Sequence, residues 1–418
     1  MNKALTYALL AAVTLMPWNA TAVNLMPWNV KAIGGFSNLL YQSKSDTLTN
    51  LAESLLVKSL LEITQGKNQQ ALSTVDELIH KIPNFKLAHL VRGDLLMAQA
   101  QRLQVFGRGN DHADANQTEG IKDLQAEARV RIERYLSNEN IRKLPNILLS
   151  PNEQQSHVIV VDTDKSRLYL YKNNGEKLSY EADYYVTIGK NGVGKQVEGD
   201  KRTPIGVYFA KQKLTQPLAD FYGDGAYPLN YPNEWDAQHQ KSGSGIWLHG
   251  TPSNTYSRPP NASDGCVVLT NQDLKALAPI LQTGKTPVII ASSLDWVSEN
   301  NLSAEKQALQ KAINLWLNDW KSQDTPQYLS HYSQTFSSNG INYQQWSDHK
   351  YRVQANKPKV NINLSNISMF AYPGTDKNLV VVDFTQDFTS PNLSNKMQKR
   401  QYWIQEADTW KIIYEGAS

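Results

Sequence analysis

Cysteine is almost absent from this chain. Cys266 is the only one among 418 residues, so the fold cannot rest on intramolecular disulfides. It stands in the sequence ASDGCVVLTN, residues 262–271, between an Asp-Gly turn and an apolar run. Two interpretations are open at this point: a buried, inert residue packed as a small hydrophobe, or a reactive thiol beside a flexible glycine.

An excess of positive charge is also lacking. The 42 Lys and Arg residues nearly balance the 39 Asp and Glu residues, for a formal net charge of +3. No Lys/Arg run is present, which excludes the electrostatic footprint of a nucleic-acid-binding protein. The eight histidines are scattered without ligand spacing, so the sequence predicts neither a metal site nor a cofactor.

One stretch imitates a phosphate-binding loop. Residues 189–195 read GKNGVGK, but Gln196 occupies the position where Ser or Thr would bind magnesium. The segment that follows has a turn-and-strand pattern instead of the required helix. We therefore do not predict nucleotide binding.

Long apolar runs are missing beyond the amino terminus, since no later segment is apolar for the roughly 18 residues that a membrane span needs. Lys3 precedes an apolar stretch from Ala4 to Trp18, and Ala20-Thr21-Ala22 follows as a small-x-small cleavage sequence. This arrangement predicts a signal peptide over residues 1–22 and an exported mature chain without a stable membrane span. The alternative is an uncleaved amino-terminal anchor.

The first region with a clear secondary-structure pattern is helical. Over residues 47–136, apolar positions recur three and four apart, with breaks at Gly66 and at Pro83-Asn84. The rhythm of helix, turn, helix resembles a tetratricopeptide repeat, and a plain helical hairpin fits the pattern equally well. Residues 144–155, LPNILLSPNEQQ, are predicted to be a linker.

The period then becomes alternating. Strand-like runs occur at 157–162, 167–172, 181–188, 205–210, 245–248 and 286–291, with one helix predicted at 271–281. The sequence therefore predicts a mostly antiparallel β domain over about 157–292. From residue 302 to 418 a long helix precedes strand patterns and resembles the nuclear transport factor 2 (NTF2)-like α+β cone. The predicted fold class is thus multi-domain: helical, mostly β, then α+β.

A histidine and the lone cysteine define a candidate site. His249 ends a β run in the sequence GIWLHGTP, seventeen residues before Cys266. If the two meet, His249 can take the thiol proton, because the thiolate is the nucleophile. The Gly250 carbonyl is a candidate for fixing the imidazole tautomer, and the N–H groups of Gly265 and Cys266 are candidates for oxyanion binding.

These residues carry a family resemblance. IWLHGTPSNTYSRPPNASDGCVVLTN, residues 246–271, resembles the catalytic motif of YkuD-type L,D-transpeptidases, and GDKRTPIGVYF, residues 199–209, resembles a second motif of that family. The resemblance covers about 157–292. It implies that Cys266 attacks a peptidoglycan stem tetrapeptide between the L-centre of diaminopimelate and the terminal D-Ala, with His249 as the base and a thioester as the intermediate. It also implies a periplasmic location.

One position departs from the family pattern. Asp264 stands where members usually have histidine, in Ser-Asp-Gly-Cys, and a carboxylate near a thiol opposes thiolate formation. With the two flanking regions, this resembles the branch that includes cell-shape-determining L,D-carboxypeptidases and lipoprotein-releasing amidases. The acceptor therefore stays open between an amine of a second stem, the lysine of a wall-attached lipoprotein, and water. A non-catalytic wall-binding scaffold is the alternative from another class.

Three further residues are candidates for substrate binding. Arg258 can form a bidentate pair with a stem carboxylate, and its alternative is a surface arginine in a proline-rich loop. Tyr222 and Trp235 lie in the loop FYGDGAYPLNYPNEW, residues 221–235, which fits a lid or glycan platform. Packing against the domain's own flank is the alternative for both aromatic residues.

Overall fold

A computed structural model describes residues 48–100, 106–107, 115–136, 143–175, 177–356, 359–375 and 378–418. The predicted signal peptide, residues 1–22, lies outside the described residues. Three regions follow one another in the predicted order, helical, β-rich and α+β, so the predicted fold class is confirmed. Within the described residues, none of the helices is both long enough and apolar enough to cross a bilayer.

The described part of the first region contains four helices. They are α1 (Leu48–Thr64), α2 (Asn68–Lys81), α3 (Lys86–Ala100) and α4 (Ala115–Leu136). Gly66 has a φ of 73° in the turn after α1, a backbone conformation that glycine adopts without a steric penalty. Fully buried side chains such as Leu56, Val75 and Leu87 form a core of their own between these helices.

The middle region is built on a five-stranded sheet. Its strands are β2 (His157–Asp162), β3 (Arg167–Asn173), β4 (Leu178–Tyr185), β6 (Gly206–Phe209) and β11 (Pro287–Ala291). The order is β4-β3-β2-β11-β6, with β2 and β11 parallel and the other pairs antiparallel. Both faces of the sheet are buried at its central strands, which explains why residues 158–161 of β2 and all of β11 are apolar.

Smaller sheets carry the candidate site. One contains β7 (Ala226–Pro228), β8 (Trp247–His249) and β10 (Val267–Val268), in the order β10-β8-β7. A second pairs β5 (Ile188–Gly189) with β9 (Asn261–Ser263). The short helices α5 (Glu234–Gln238) and α6 (Asn271–Leu277) follow β7 and β10 in the chain.

The predicted linker at 144–155 is wrong for its first half. Strand β1 (Leu144–Pro145) pairs with β12 (Trp296–Val297), and Ile147, Leu148 and Leu149 are 6%, 1% and 5% exposed. These apolar side chains belong to the cores on either side of the segment. The Pro and Asn residues of this segment are typical of turns. The apolar residues between them have the larger effect on the structure of the segment, because burial of their side chains stabilises the fold.

The last region pairs helices with a long antiparallel sheet. The helices are α7 (Glu299–Ser322), α8 (Thr325–Ser330) and α9 (Tyr343–Gln354); a small hairpin comprises β13 (Ser337–Ser338) and β14 (Ile341–Asn342); the sheet comprises β15 (Asn361–Ala371), β16 (Leu379–Ser390), β17 (Leu393–Glu406) and β18 (Thr409–Ala417). One face of the sheet packs on the helices around Trp316. The other face shares a core with the middle region, where Phe370 and Tyr402 meet Val160.

Candidate active site

The pairing of two short strands brings the cysteine and the histidine to one place. Strands β8 and β10 are parallel, with Val268 opposite His249, and the Leu269 N–H donates to the His249 carbonyl at 2.9 Å. Cys266 directly precedes β10, two residues before Val268. Its sulfur lies 3.3 Å from the carbonyl oxygen of Gly245, just before the strand that ends with His249.

The imidazole of His249 is held as a neutral base. His249 is 1% exposed, and its Nδ1 lies 2.7 Å from the Gly250 carbonyl oxygen. Since a carbonyl only accepts, Nδ1 carries the proton and Nε2 has a free lone pair. Burial lowers the pKa of His249 to about 4; the hydrogen bond to Gly250 opposes this shift, and the charge of Arg258 adds to it.

Aromatic rings surround the imidazole. The Phe221 and Tyr222 ring centroids lie 5.9 and 5.2 Å from that of His249, and Tyr222 also contacts Trp247 at 4.9 Å. These rings keep water from the imidazole, which accounts for its burial. The sequence-predicted Tyr222 therefore lies at the site.

The thiol of Cys266 is partly exposed and protonated. Its Sγ–H donates to the Gly245 carbonyl at 3.3 Å, and the structure records no hydrogen bond between the thiol and His249. Burial raises the pKa of Cys266 to about 11, a hydrogen bond from the Trp247 N–H lowers it, and the negative charge of Asp264 raises it further. The positive charges of Arg258 and Lys195 act in the opposite direction.

Gly265 provides a turn that no other residue can make. Its φ is +123°, and a Cβ at this position would lie 2.8 Å from the Arg202 carbonyl oxygen. The Gly265 N–H donates to the Ser263 hydroxyl at 3.1 Å, so this predicted oxyanion donor is already engaged. The Cys266 N–H, by contrast, has no hydrogen-bond acceptor among the described residues.

A threonine that the sequence analysis did not single out supports this turn. The Thr203 hydroxyl donates to the Gly265 carbonyl at 3.0 Å and accepts from the Gly189 N–H at 2.9 Å. Thr203 is fully buried. The signal for it was the Thr-Pro-Ile-Gly sequence at 203–206, within the second quoted motif.

Asp264 has an ion-pair partner away from the thiol. Its carboxylate lies 3.3 Å from the Lys190 ammonium, and both side chains are substantially exposed. Water and Lys190 therefore screen the carboxylate, although its charge still contributes to the high pKa of Cys266.

Asn271 fixes the corner next to the histidine, and it too was missed from the sequence. Its amide oxygen accepts the Asp224 N–H at 3.0 Å, and its amide nitrogen donates to the Thr251 carbonyl at 2.9 Å. A Cβ at Gly250 or at Gly223 would lie 2.0 or 2.2 Å from the same amide oxygen. Gly250 therefore orients His249 through its carbonyl and leaves room for Asn271.

Arg258 has an unused donor at the site. Its Nη2 donates to the Ala262 carbonyl, and its guanidinium lies 4.7 Å from the centroid of the Phe221 ring. Its Nη1 is buried and has no hydrogen-bond partner in the described part of the chain. Buried donors are normally satisfied, so this nitrogen is suited to an anionic group of a substrate.

Trp235 lies elsewhere. Its ring contacts His239, Tyr372 and Tyr402 at centroid distances of 4.2, 5.8 and 5.4 Å. Tyr372 and Tyr402 belong to the C-terminal region, so Trp235 lies in an inter-domain contact. Across the described residues, no group of three or more His, Cys, Asp or Glu side chains could hold a metal ion.

The fold and this site define an L,D-transpeptidase catalytic domain. Residues 156–290 match the family model of the YkuD L,D-transpeptidase catalytic domain, and residues 308–416 match that of the Cds6 C-terminal NTF2-like domain. A comparison with curated proteins gave no match.

Two solved structures match this chain over nearly their whole length. Bd1075 of Bdellovibrio bacteriovorus is 31% identical, with 66% of this chain and 98% of that chain covered and a TM-score of 0.57. The helical cell shape determining protein Pgp2 of Campylobacter jejuni is 24% identical, with 65% and 95% covered and the same TM-score. The chain belongs to the L,D-transpeptidase family, whose members act on peptidoglycan peptides.

Proposed function

We propose that this protein cleaves peptidoglycan stem peptides by cysteine acyl transfer, with Cys266 as the nucleophile and His249 as the base. The observation that carries the proposal is the locked tautomer of His249, whose Nδ1–H donates to Gly250 and whose Nε2 is free, on the strand next to Cys266. A neutral imidazole beside the family's cysteine position is the arrangement that nucleophilic catalysis requires.

The first half of the reaction forms a thioester. The thiol leaves the Gly245 carbonyl and turns toward His249, whose Nε2 takes the proton as sulfur attacks the carbonyl carbon before the terminal D-Ala. The C–N bond breaks, and the imidazolium returns its proton to the leaving amine. Burial raises the pKa of Cys266 and lowers that of His249, so both groups are neutral before the thiol turns toward the imidazole, and His249 takes the proton at that point.

Two groups assist at the carbonyl and at the substrate. The free Cys266 N–H binds the oxyanion that develops during attack. The buried, unpartnered Nη1 of Arg258 binds a carboxylate of the stem peptide, which holds the scissile bond near the sulfur.

The second half transfers the acyl group to an acceptor. An amine of a second stem gives a crosslink, and this transpeptidation is the leading candidate. Water is the second candidate and gives an L,D-carboxypeptidase or a lipoprotein-releasing amidase. Water as the acceptor is favoured by Asp264, which replaces the histidine that family members usually have at this position and pairs with Lys190. The acceptor side of the site therefore lacks a second imidazole.

The setting of the reaction is also a proposal. Peptidoglycan lies outside the cytoplasm, which agrees with the signal peptide expected at residues 1–22 and with a periplasmic location. The architecture shared with a helical cell shape determining protein supports a role in cell shape.

The test compares the wild type with Cys266→Ala and Cys266→Ser on tetrapeptide muropeptides. We expect both variants to lose at least about 10³-fold in kcat, as nucleophile removal does in other covalent enzymes, while their thermal unfolding stays close to that of the wild type. Mass analysis of the wild-type products identifies the acceptor, because tripeptides alone mean water and crosslinked dimers mean an amine.

A Cys266→Ala protein as active as its parent would overturn the proposal. Failure of a thiol-directed probe to label Cys266, with binding to sacculi intact, would favour a non-catalytic wall-binding scaffold.

A further inference from the structure

The loop between the two reactive residues is anchored in the helical region. This loop, residues 250–263, carries Tyr256, which is 2% exposed and is part of the helical core. Its ring centroid lies 4.7 Å from that of Phe85, and its N–H donates to the Asn84 carbonyl at 3.1 Å. The Asn84 amide also donates to the Ser253 carbonyl at 3.1 Å. The turn between α2 and α3 therefore fixes the first half of the loop.

The next residue of the loop contacts a buried ion-pair network. The Ser257 hydroxyl donates to Glu127 Oε1 on α4 at 2.6 Å. The same oxygen accepts from Arg131 Nε and Nη2 at 3.0 and 2.8 Å, and Arg131 also pairs with Glu53. Arg131 and Glu127 are each 1% exposed, so water does not compete for these contacts.

The network also reaches the residue after Ser257. The carbonyl of Arg258 accepts from the Tyr185 hydroxyl at 2.8 Å and from the Thr187 hydroxyl at 2.9 Å. The Arg131 guanidinium lies 3.9 Å from the centroid of the Tyr185 ring. Arg131 therefore contacts Tyr185, one of the two residues whose hydroxyls hold the Arg258 carbonyl, and is linked through Glu127 to the preceding residue, Ser257.

The side chain of Arg258 has few fixed contacts of its own. It makes one hydrogen bond, from Nη2 to a carbonyl of the same loop, and stacks on Phe221, which is 40% exposed. The position of its guanidinium therefore depends on where the backbone of residues 257 and 258 is held.

We propose that Glu127 and Arg131 of the helical region are positioning residues for the reaction: acting through Ser257 and Tyr185, they place the Arg258 guanidinium where it meets the substrate carboxylate beside Cys266. The helical region then contributes to the active site by positioning Arg258 and is not only an attached domain. This inference rests on the proposed function for its substrate.

Ser257 offers the mildest test because it leaves the ion pairs intact. We expect Ser257→Ala to raise KM for a tetrapeptide muropeptide about tenfold with kcat within about twofold, since small displacements away from the chemistry weaken substrate positioning. Ser257→Thr keeps the hydroxyl and should restore the wild-type KM. Thr74→Ala is the matched control, because it removes a 2.8 Å hydroxyl–carboxylate bond to Glu62 within the helical region and away from the loop. If Thr74→Ala raises KM equally, the effect is general loosening and the proposal fails.

A double-mutant cycle separates positioning from structure. In an Arg258→Ala background, Ser257→Ala should raise KM no further, because the side chain that it positions is gone. If the two effects multiply instead, Ser257 acts on something other than Arg258 and the proposal is overturned.

A second readout needs no substrate. The charges of Arg258, Lys195 and Asp264 act on Cys266, and His249 lies on the strand that pairs with the one after it. Displacement of the Arg258 charge should therefore move the midpoint of Cys266 alkylation by iodoacetamide to higher pH. Ser257→Ala should show this shift and Ser257→Thr should not. An unchanged midpoint in Ser257→Ala overturns the positioning role. A shifted midpoint in a protein whose wild type leaves tetrapeptides intact supports positioning while refuting the proposed function.

Discussion

The catalytic domain contacts its two neighbours through different chemistry. Toward the helical region the contact is mainly ionic: Arg167 lies 3.6 Å from Glu53, and Arg134 lies 2.6 Å from Asp183. Toward the C-terminal region the contact is mainly aromatic, beside an ion pair of Glu234 and Arg400 at 2.7 Å. There Trp235 packs on Tyr372 and Tyr402, and the Asn233 amide donates to the Tyr372 hydroxyl at 3.0 Å.

The two contacts also differ in whether they are connected to the active site. The ionic contact continues through Ser257 to Arg258 and so ends beside Cys266. Among the described residues, no side chain of the aromatic cluster around Trp235 contacts Cys266 or His249. We infer that the first contact sets catalytic geometry and that the second holds the domains together.

The largest expected effect comes from removing the buried cation behind the ionic contact. Arg131→Met leaves Glu127 buried without its cation and leaves Glu53 with Arg167 alone, and we expect the free energy of unfolding to fall by about 3–5 kcal/mol. Denaturant unfolding measures this. Arg92→Met is the matched control, because the Arg92–Asp76 pair is exposed and should contribute less than about 1 kcal/mol. Equal losses in the two variants would mean that the buried Arg131 network contributes no more stability than an exposed ion pair.

The second effect is a pH dependence of the folding stability. It compares His249, at the active site, with His239, which contacts Trp235 at the C-terminal contact. Burial holds the pKa of His249 at about 4, against about 6.5 in an unfolded chain. As pH falls from 6.5 to 4, the unfolded chain gains a proton that the folded chain does not, so the folded state loses stability. The loss is roughly 3 kcal/mol at pH 4 relative to pH 7.

Thermal unfolding between pH 7 and 4 tests this. His249→Asn should have a flatter stability profile than the wild type. His239→Gln, at an exposed ring on Trp235, should leave the wild-type profile unchanged. Parallel profiles for the wild type and His249→Asn would contradict a neutral, buried imidazole.

The smallest effect belongs to the aromatic contact. Trp235→Ala removes a half-buried ring, and we expect the free energy of unfolding to fall by about 2 kcal/mol with kcat/KM unchanged within about twofold. Steady-state assays well below the unfolding temperature check the second part. A rise in KM would instead place Trp235 among the substrate-binding residues, as its aromatic-rich loop suggested.

The local part of the site could be predicted from the sequence because its residues are neighbours in short motifs. A histidine ends one strand and the Gly-Cys pair directly precedes the strand that pairs with it. The Gly250 carbonyl was the nearest acceptor for the imidazole. The fold class followed from the change of period near residue 157, where helical spacing gives way to alternation.

The long-range part could not be predicted. Glu127 and Ser257 are 130 positions apart, and neither periodicity nor composition relates a carboxylate on a helix to one hydroxyl in a loop. The same limit applies to Trp235, since the sequence pattern of an aromatic residue in a loop is the same whether its ring contacts a substrate or another domain. Residues 147–149 were predicted to be part of a linker because turn-forming residues flank this short apolar run. In the structure the three apolar side chains pack into the two cores on either side.

Asn271 has a consequence for how this corner of the chain can vary. Its amide oxygen occupies the space that a side chain at residue 223 or at residue 250 would need. No single replacement at either glycine fits while the asparagine stays. Across homologous sequences, these three positions should therefore change together or remain fixed, and a variant library would find viable combinations only as coordinated substitutions.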